Sequence, residues 1–178
     1  MRHVISVLVQ NKFGVLARIS GLISARGFNI DSLSVGETED PKISRMNIVV
    51  HGADPVIEQI IKQLRRLVET IKVTDLAEGR YVERELILVK VESPPAKRLE
   101  ILQTANVFGA KIMDMTTKEI ILELASEVGK VEALIGILKP YGIKEMARTG
   151  SVALARGGVS QQVPVAAAAV GPSGGNTL

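Results

Sequence analysis

The chain has 178 residues, 46% apolar and 23% charged, enough for one medium domain or two small ones with well-packed cores. It has no cysteine, which excludes disulfides, thiolate metal sites and a cysteine nucleophile. The net charge of +3 is thinly spread, and Lys62, Arg65 and Arg66 sit on what reads as a solvated helix face, so charge alone does not point to nucleic acid.

Residues 3–9, "HVISVLV", read as a strand. With only a short apolar run and no small-residue cleavage site, the N-terminus is not expected to be a signal peptide. No run approaches the roughly 18 apolar residues of a membrane span, so the expected location is the cytoplasm. From Gly14 onward, Val15, Leu16, Ile19, Leu22 and Ile23 recur at helical spacing, and Gly27 supplies the stop. "NIDSLSVGET" predicts a second strand, Asp40-Pro41 a turn, and "ISRMNIVVHG" a third strand. Asp54 fits an N-cap with Pro55 at the first helical position; Val56, Ile57, Ile60, Ile61, Leu64, Leu67 and Val68 then form an apolar stripe. "TIKVTDLAE" predicts the fourth strand. Strand-helix-strand-strand-helix-strand in about 75 residues is a ferredoxin-like sandwich.

The pattern then repeats. Residues 78–83 read as a short polar linker and "ELILVKVE" as a strand. Ser93-Pro94-Pro95 opens a helix carrying Leu99, Leu102 and Ala105, and "AKIMDMTTKEIILELAS" forms a hairpin turning near Thr117-Lys118. Val131, Leu134, Ile135 and Leu138 mark another helix, ended by Pro140-Tyr141-Gly142, and "IKEMARTGSVALAR" is the last strand region. The expected fold is α+β: two ferredoxin-like βαββαβ sandwiches over residues 1–77 and 84–158, and a flexible tail over 159–178 that is rich in Ala, Gly, Pro and Ser.

The first strand is apolar on both sides, Ile5, Val7 and Val9 on one and Val4 and Leu8 on the other. A sheet with one wet face alternates apolar and polar residues. The second face is therefore expected to be covered, by another copy or by the second domain.

Catalytic groups are scarce. His3 and His51 fall at strand ends with no acid or nucleophile motif beside them, and there is no HExxH, phosphate-binding Gly-rich loop or GxSxG. RNA stacking on the sheet would need aromatics, yet Phe13, Phe28, Tyr81, Phe108 and Tyr141 all fall outside the strand centres. What remains is the stretch "QNKFGVLARISGLISARGFNI", residues 10–30. A helix starting at Gly14 or Val15 presents free backbone N–H groups and a partial positive charge, which suit a carboxylate. Gly14 puts no side chain in the way of a ligand; Asn11 and Asn29 carry carboxamides that could meet the carboxylate and ammonium of a free amino acid. The same residues also fit a plainer role, as turn and cap residues.

The segments "HVISVLVQNKFGVLARISGLISARGFNIDSLSVGETEDPKISRMNIVV", "IEQIIKQLRRLVE", "VERELILVKV" and "MARTGSVALARG" carry a resemblance. The N-terminal half resembles an ACT domain, and residues 1–158 together resemble the small regulatory subunits of acetohydroxyacid synthase (acetolactate synthase). The resemblance implies a non-catalytic chain that activates a large catalytic subunit and confers feedback inhibition by valine. Thiamine diphosphate, Mg²⁺ and FAD are then cofactors of that large subunit, with none on this chain. It implies a homodimer through paired ACT domains with the effector at their interface. Asn11, Gly14, Val15 and Leu16 would come from one chain, and Asn29 and Ile30 from the facing one. A valine isopropyl group buried against Val15, Leu16 and Ile30 would gain roughly 1.5–3 kcal/mol. The other function class open to the chain is a free-standing ACT-type amino-acid sensor or transcriptional regulator.

Overall fold

The structure, a computed structural model, describes residues 1–157; the expected tail lies outside the described residues. The first unit runs β1 (Arg2–Gln10), α1 (Val15–Ser24), β2 (Ile30–Glu37), β3 (Ile43–His51), α2 (Asp54–Leu64) and β4 (Thr70–Asp75). Its antiparallel sheet has the order β2-β3-β1-β4. The apolar β1 takes a central place, in register with β3 from Arg2↔His51 to Gln10↔Ile43. One side of the sheet, with Ile5, Val7, Val9, Met46, Ile48 and Val50, packs against Ile19 and Ile23 of α1 and Ile57, Ile60 and Leu64 of α2.

The second unit repeats the plan with β5 (Tyr81–Glu92), α3 (Pro95–Phe108), β6 (Lys111–Met115), β7 (Glu119–Ser126), α4 (Val128–Leu138) and β8 (Ile143–Arg148), in the order β6-β7-β5-β8. Ile87, Val89 and Val91 of its central strand bury against Ile101, Val131 and Leu134. The chain is thus two ferredoxin-like βαββαβ sandwiches.

Three details differ from the sequence reading. Ala53, in an extended conformation, holds the N-cap of α2, and Asp54 is the first helical residue; its carboxylate still suits the positive helix end. The helix stops at Leu64, so Val68 is exposed rather than part of the stripe. The segment read as a linker is mostly ordered: Glu78 closes a 3₁₀ turn over Leu76–Glu78, and β5 already begins at Tyr81.

β5 is long because it serves two partners. Ile87–Val91 pair with β8, whereas Tyr81–Arg84 pair with an additional strand, β9 (Val152–Ala155). This two-stranded arm lies over the far face of the first sheet. Ala153 is buried with Val4, Val49 and Leu76, and Tyr81 and Ala155 pack at the margin. The doubly apolar β1 is therefore covered, at Val4, by the chain's own C-terminal half.

Candidate functional site

The turn after β1 places the proposed ligand residues. Gly14 is the N-cap of α1 at φ +80°, and a Cβ there would meet nothing within 4 Å. The left-handed backbone, not crowding, is what favours glycine. The helix has no side-chain cap and no acidic residue in its first turn, so nothing on its own side chains competes for its amide donors.

Asn11 is exposed, and its Nδ2 donates to Glu37 Oε1 (3.0 Å) and to the Pro41 carbonyl (2.9 Å). Both amide protons are thus engaged, and the carboxamide oxygen is the group left to accept from an ammonium. The Val15 side chain is buried in the core, so only its backbone can reach a ligand, while Leu16 is partly exposed. Asn29 donates to Asp31 Oδ1 at 2.9 Å, and Ile30 is half-buried against the core. α1 separates the two groups: its ten residues span about 15 Å, so Gly14 and Asn29 of one chain sit at opposite ends of the helix. One chain does not bring the six residues together. Phe13 is a neighbour that the sequence reading left aside; its ring is fully exposed beside Gly14. The signal available was an aromatic residue in a loop of a chain only 3% aromatic.

The histidines occupy two separate places. His3 is buried, with Nδ1 2.6 Å from Asp75 Oδ2; its Nε2 lies 3.3 Å from Asp54 Oδ1 without making a hydrogen bond. His51 Nδ1 lies 2.6 Å from Asp31 Oδ2 on the surface. That hydrogen bond, reinforced by Asn29, holds the Asp31 carboxyl below its ordinary value.

A cleft of about 470 Å³ between the two units is lined by Arg2, Asp31, His51, Glu85, Glu132 and Arg148 among others. All six are already paired. Arg2 binds Glu83, His51 binds Asp31, and Arg148 donates to both oxygens of Glu85 (2.7 and 2.8 Å) and to Glu132 (2.6 Å). The cleft is a cross-linked domain contact in which each of these charges is already in an ion pair.

That contact continues as a strap over residues 149–155. Ser151 N donates to Ser32 Oγ, and Ser34 Oγ donates to the Ser151 carbonyl, each at 2.8 Å. The Asn47 carboxamide lies 3.2 Å from both N and O of Ala153, and with its NH₂ on the carbonyl it satisfies both. The edge of β9 away from β5 is therefore held by side chains of β2 and β3. A Cβ on Gly150 (φ +78°) would come within 2.7 Å of Ser32 Oγ and 3.2 Å of the Leu33 carbonyl, so the strap's close approach requires glycine.

Two family profiles match in the same order as the two sheets: "AHAS small subunit-like ACT domain" over residues 5–72 and "Small subunit of acetolactate synthase" over residues 84–157. A probable acetolactate synthase small subunit from Archaeoglobus fulgidus is 54% identical over 157 residues, spanning 88% of this chain and 98% of that protein. The chain belongs to the acetolactate synthase small-subunit family. An Aquifex aeolicus acetolactate synthase small subunit is 51% identical over 87% of this chain and 81% of its own length. The crystal structure of the Thermotoga maritima acetolactate synthase small subunit superposes with a TM-score of 0.80 at 44% identity, covering 88% of this chain and 98% of that one. The first unit is accordingly an ACT domain. Among the described residues, no helix is long and apolar enough to cross a membrane.

Proposed function

We propose that this chain is the regulatory subunit of an acetolactate synthase in branched-chain amino-acid biosynthesis, without catalytic activity of its own. In this reading it binds the catalytic large subunit, raises its activity and makes it sensitive to valine. Thiamine diphosphate, Mg²⁺ and FAD belong to the large subunit. Two copies pair side by side along β2, which among the described residues pairs only with β3. The valine carboxylate meets the α1 amides at Gly14, Val15 and Leu16, its ammonium meets Asn11, and Asn29 and Ile30 of the facing chain close the pocket.

The observation that carries this reading is the uncapped N-terminus of α1 at a left-handed Gly14, with no acid in its first turn. It binds an anion by backbone alone. The 15 Å or so between the two half-sites supports the need for a second chain.

The test is reconstitution with the large subunit. Wild-type chain should raise acetolactate formation and confer inhibition by valine. Gly14→Asp sets a carboxylate against the ligand carboxylate and should weaken inhibition by about 5–150-fold, the usual range of allosteric coupling, while leaving activation intact. Gly14→Asn also tolerates the left-handed backbone but adds no charge, so it should lose much less. A Gly14→Asp holoenzyme as valine-sensitive as wild type would remove α1 from the site.

A further inference from the structure

The two units share a local signature at their second strands. In Gly27-Phe28-Asn29-Ile30-Asp31 and Gly109-Ala110-Lys111-Ile112-Met113, both glycines have positive φ (75° and 68°). Both isoleucines hold matching ladder places, Ile30↔Val50 and Ile112↔Leu122, and the register then skips Asp31 and Met113 respectively. β2 and β6 also hold the same edge position in their sheets. β6 is thus the second unit's counterpart of the edge assigned above to ACT pairing.

Edge strands are ordinarily shielded by charge, proline or brevity. β6 is short, but all five of its residues are exposed, and Ile112, Met113 and Met115 are between 45% and 54% exposed. The neighbouring helix α3 runs beside the strand. Arg98 donates to the Thr116 and Thr117 carbonyls (2.9 and 2.7 Å), which pins the start of α3 beside the end of β6. Leu99 and Val107 on that helix are 66% and 78% exposed.

The two charged residues of β6 give the patch a register. Lys111 lies across from Glu123, with its exposed Nζ 3.7 Å from Glu123 Oε1 and able to swing to a second acid, and Asp114 lies across from Ile121, so both lie on one face of the sheet. A two-fold axis between Ile112 and Met113 would set Lys111 of one chain opposite Asp114 of the other, twice, and Ile112 opposite Met113. The strand is complementary to itself in charge and in apolar content, which is the condition for an isologous interface.

We propose that β6, flanked by α3, is a second self-association surface occupied by β6 of another copy of this chain. The likeness to β2 rests on the ACT pairing proposed above; the charge register of β6 does not. Met113 lies outside the ladder register and is exposed, so substitution there leaves the domain's own core untouched.

The experiment is analytical ultracentrifugation of the full chain over a wide concentration range, combined with amide hydrogen exchange. Met113→Lys and Lys111→Glu should each weaken the β6 association about tenfold, and the charge-exchanged double variant Lys111→Glu/Asp114→Lys should restore it. β6 amides should become more protected as protein concentration rises. Val35→Lys on β2 should act on a separate association step. Unchanged association in all β6 variants overturns the proposal, as does β6 protection that is independent of concentration. Loss of association in Val35→Lys alone leaves ACT pairing standing without this surface. Loss in the β6 variants alone leaves this surface standing without ACT pairing.

Discussion

α1 and α3 are the same helix in two repeats, but their N-termini are built in opposite ways. α1 starts from a left-handed glycine with no side-chain cap. α3 starts from Pro94 at the cap and Pro95 behind it, neither of which has an N–H to offer. Arg98 then folds back across the helix start, donating to Ser93 Oγ (3.3 Å) and to the carbonyls of Ser93 (2.9 Å), Thr116 (2.9 Å) and Thr117 (2.7 Å). One topology therefore yields an uncapped helix end in one repeat and a latched one in the other. The sheet faces differ as well. The far face of the first sheet lies under β9, whereas Leu88, Lys90, Ile121 and Ala147 of the second line only a shallow cleft.

The largest expected effect comes from breaking the cover on the first sheet. Asn47→Ala strands the N–H and C=O of buried Ala153, and each unsatisfied group costs about 1–3 kcal/mol. A net loss of about 2–4 kcal/mol in urea unfolding is expected, with the strap at 149–155 exchanging its amide protons first. Ser34→Ala removes one hydrogen bond beside it and should cost about 1 kcal/mol. A loss as small in Asn47→Ala as in Ser34→Ala would show that the carboxamide does not hold the strap.

The contrast between the helix ends is sharpened at Arg98. Arg98→Ala removes the bonds to three carbonyls and should cost the second unit about 1–3 kcal/mol. It should create no amino-acid site, because the prolines still withhold the donors. Titration calorimetry with valine checks this: a second set of sites in Arg98→Ala would mean that the arginine, not the prolines, closes that helix.

Both sandwiches were legible in the sequence because apolar spacing alone sets them. Ile57, Ile60, Ile61 and Leu64 are all buried on α2 as their spacing predicts. β9 was harder to separate from β8, since it is four residues long and only Ala153 is fully buried. Its outer edge is satisfied by Ser32, Ser34 and Asn47, polar residues that in a sequence look like those of a wet sheet face. The cap of α2 was misplaced by one residue because an extended Ala53 leaves no polar signature. At the candidate site, Gly14 could be picked out from its place before a helix. Nothing in the residues themselves joins Asn11 to Asn29, which the fold of a single chain keeps a helix length apart; only the family resemblance pairs them.

The smallest expected effect concerns the acid sensitivity of the strap. Burial alone would raise the Glu83 carboxyl, but hydrogen bonds with Arg2 and Ser151 hold it below its ordinary value. A carboxyl with a lower value in the folded than in the unfolded chain favours folding fully above its unfolded value of about 4.3. That contribution is lost as pH falls through the folded value. Over the pH window below that unfolded value, amide exchange at residues 151–155 should accelerate relative to β7 at the centre of the second sheet. Glu83→Gln abolishes this acid-dependent part while keeping an acceptor for Arg2, so its strap should exchange at a rate less dependent on pH over that window. Glu145 of the second sheet is likewise held below its ordinary value, by a hydrogen bond from Lys90, but touches no strap residue, so Glu145→Gln should leave the strap's profile as in wild type. If Glu145→Gln and Glu83→Gln behaved alike, the acid response would belong to the whole fold, and the Arg2–Glu83 bridge would not be its source.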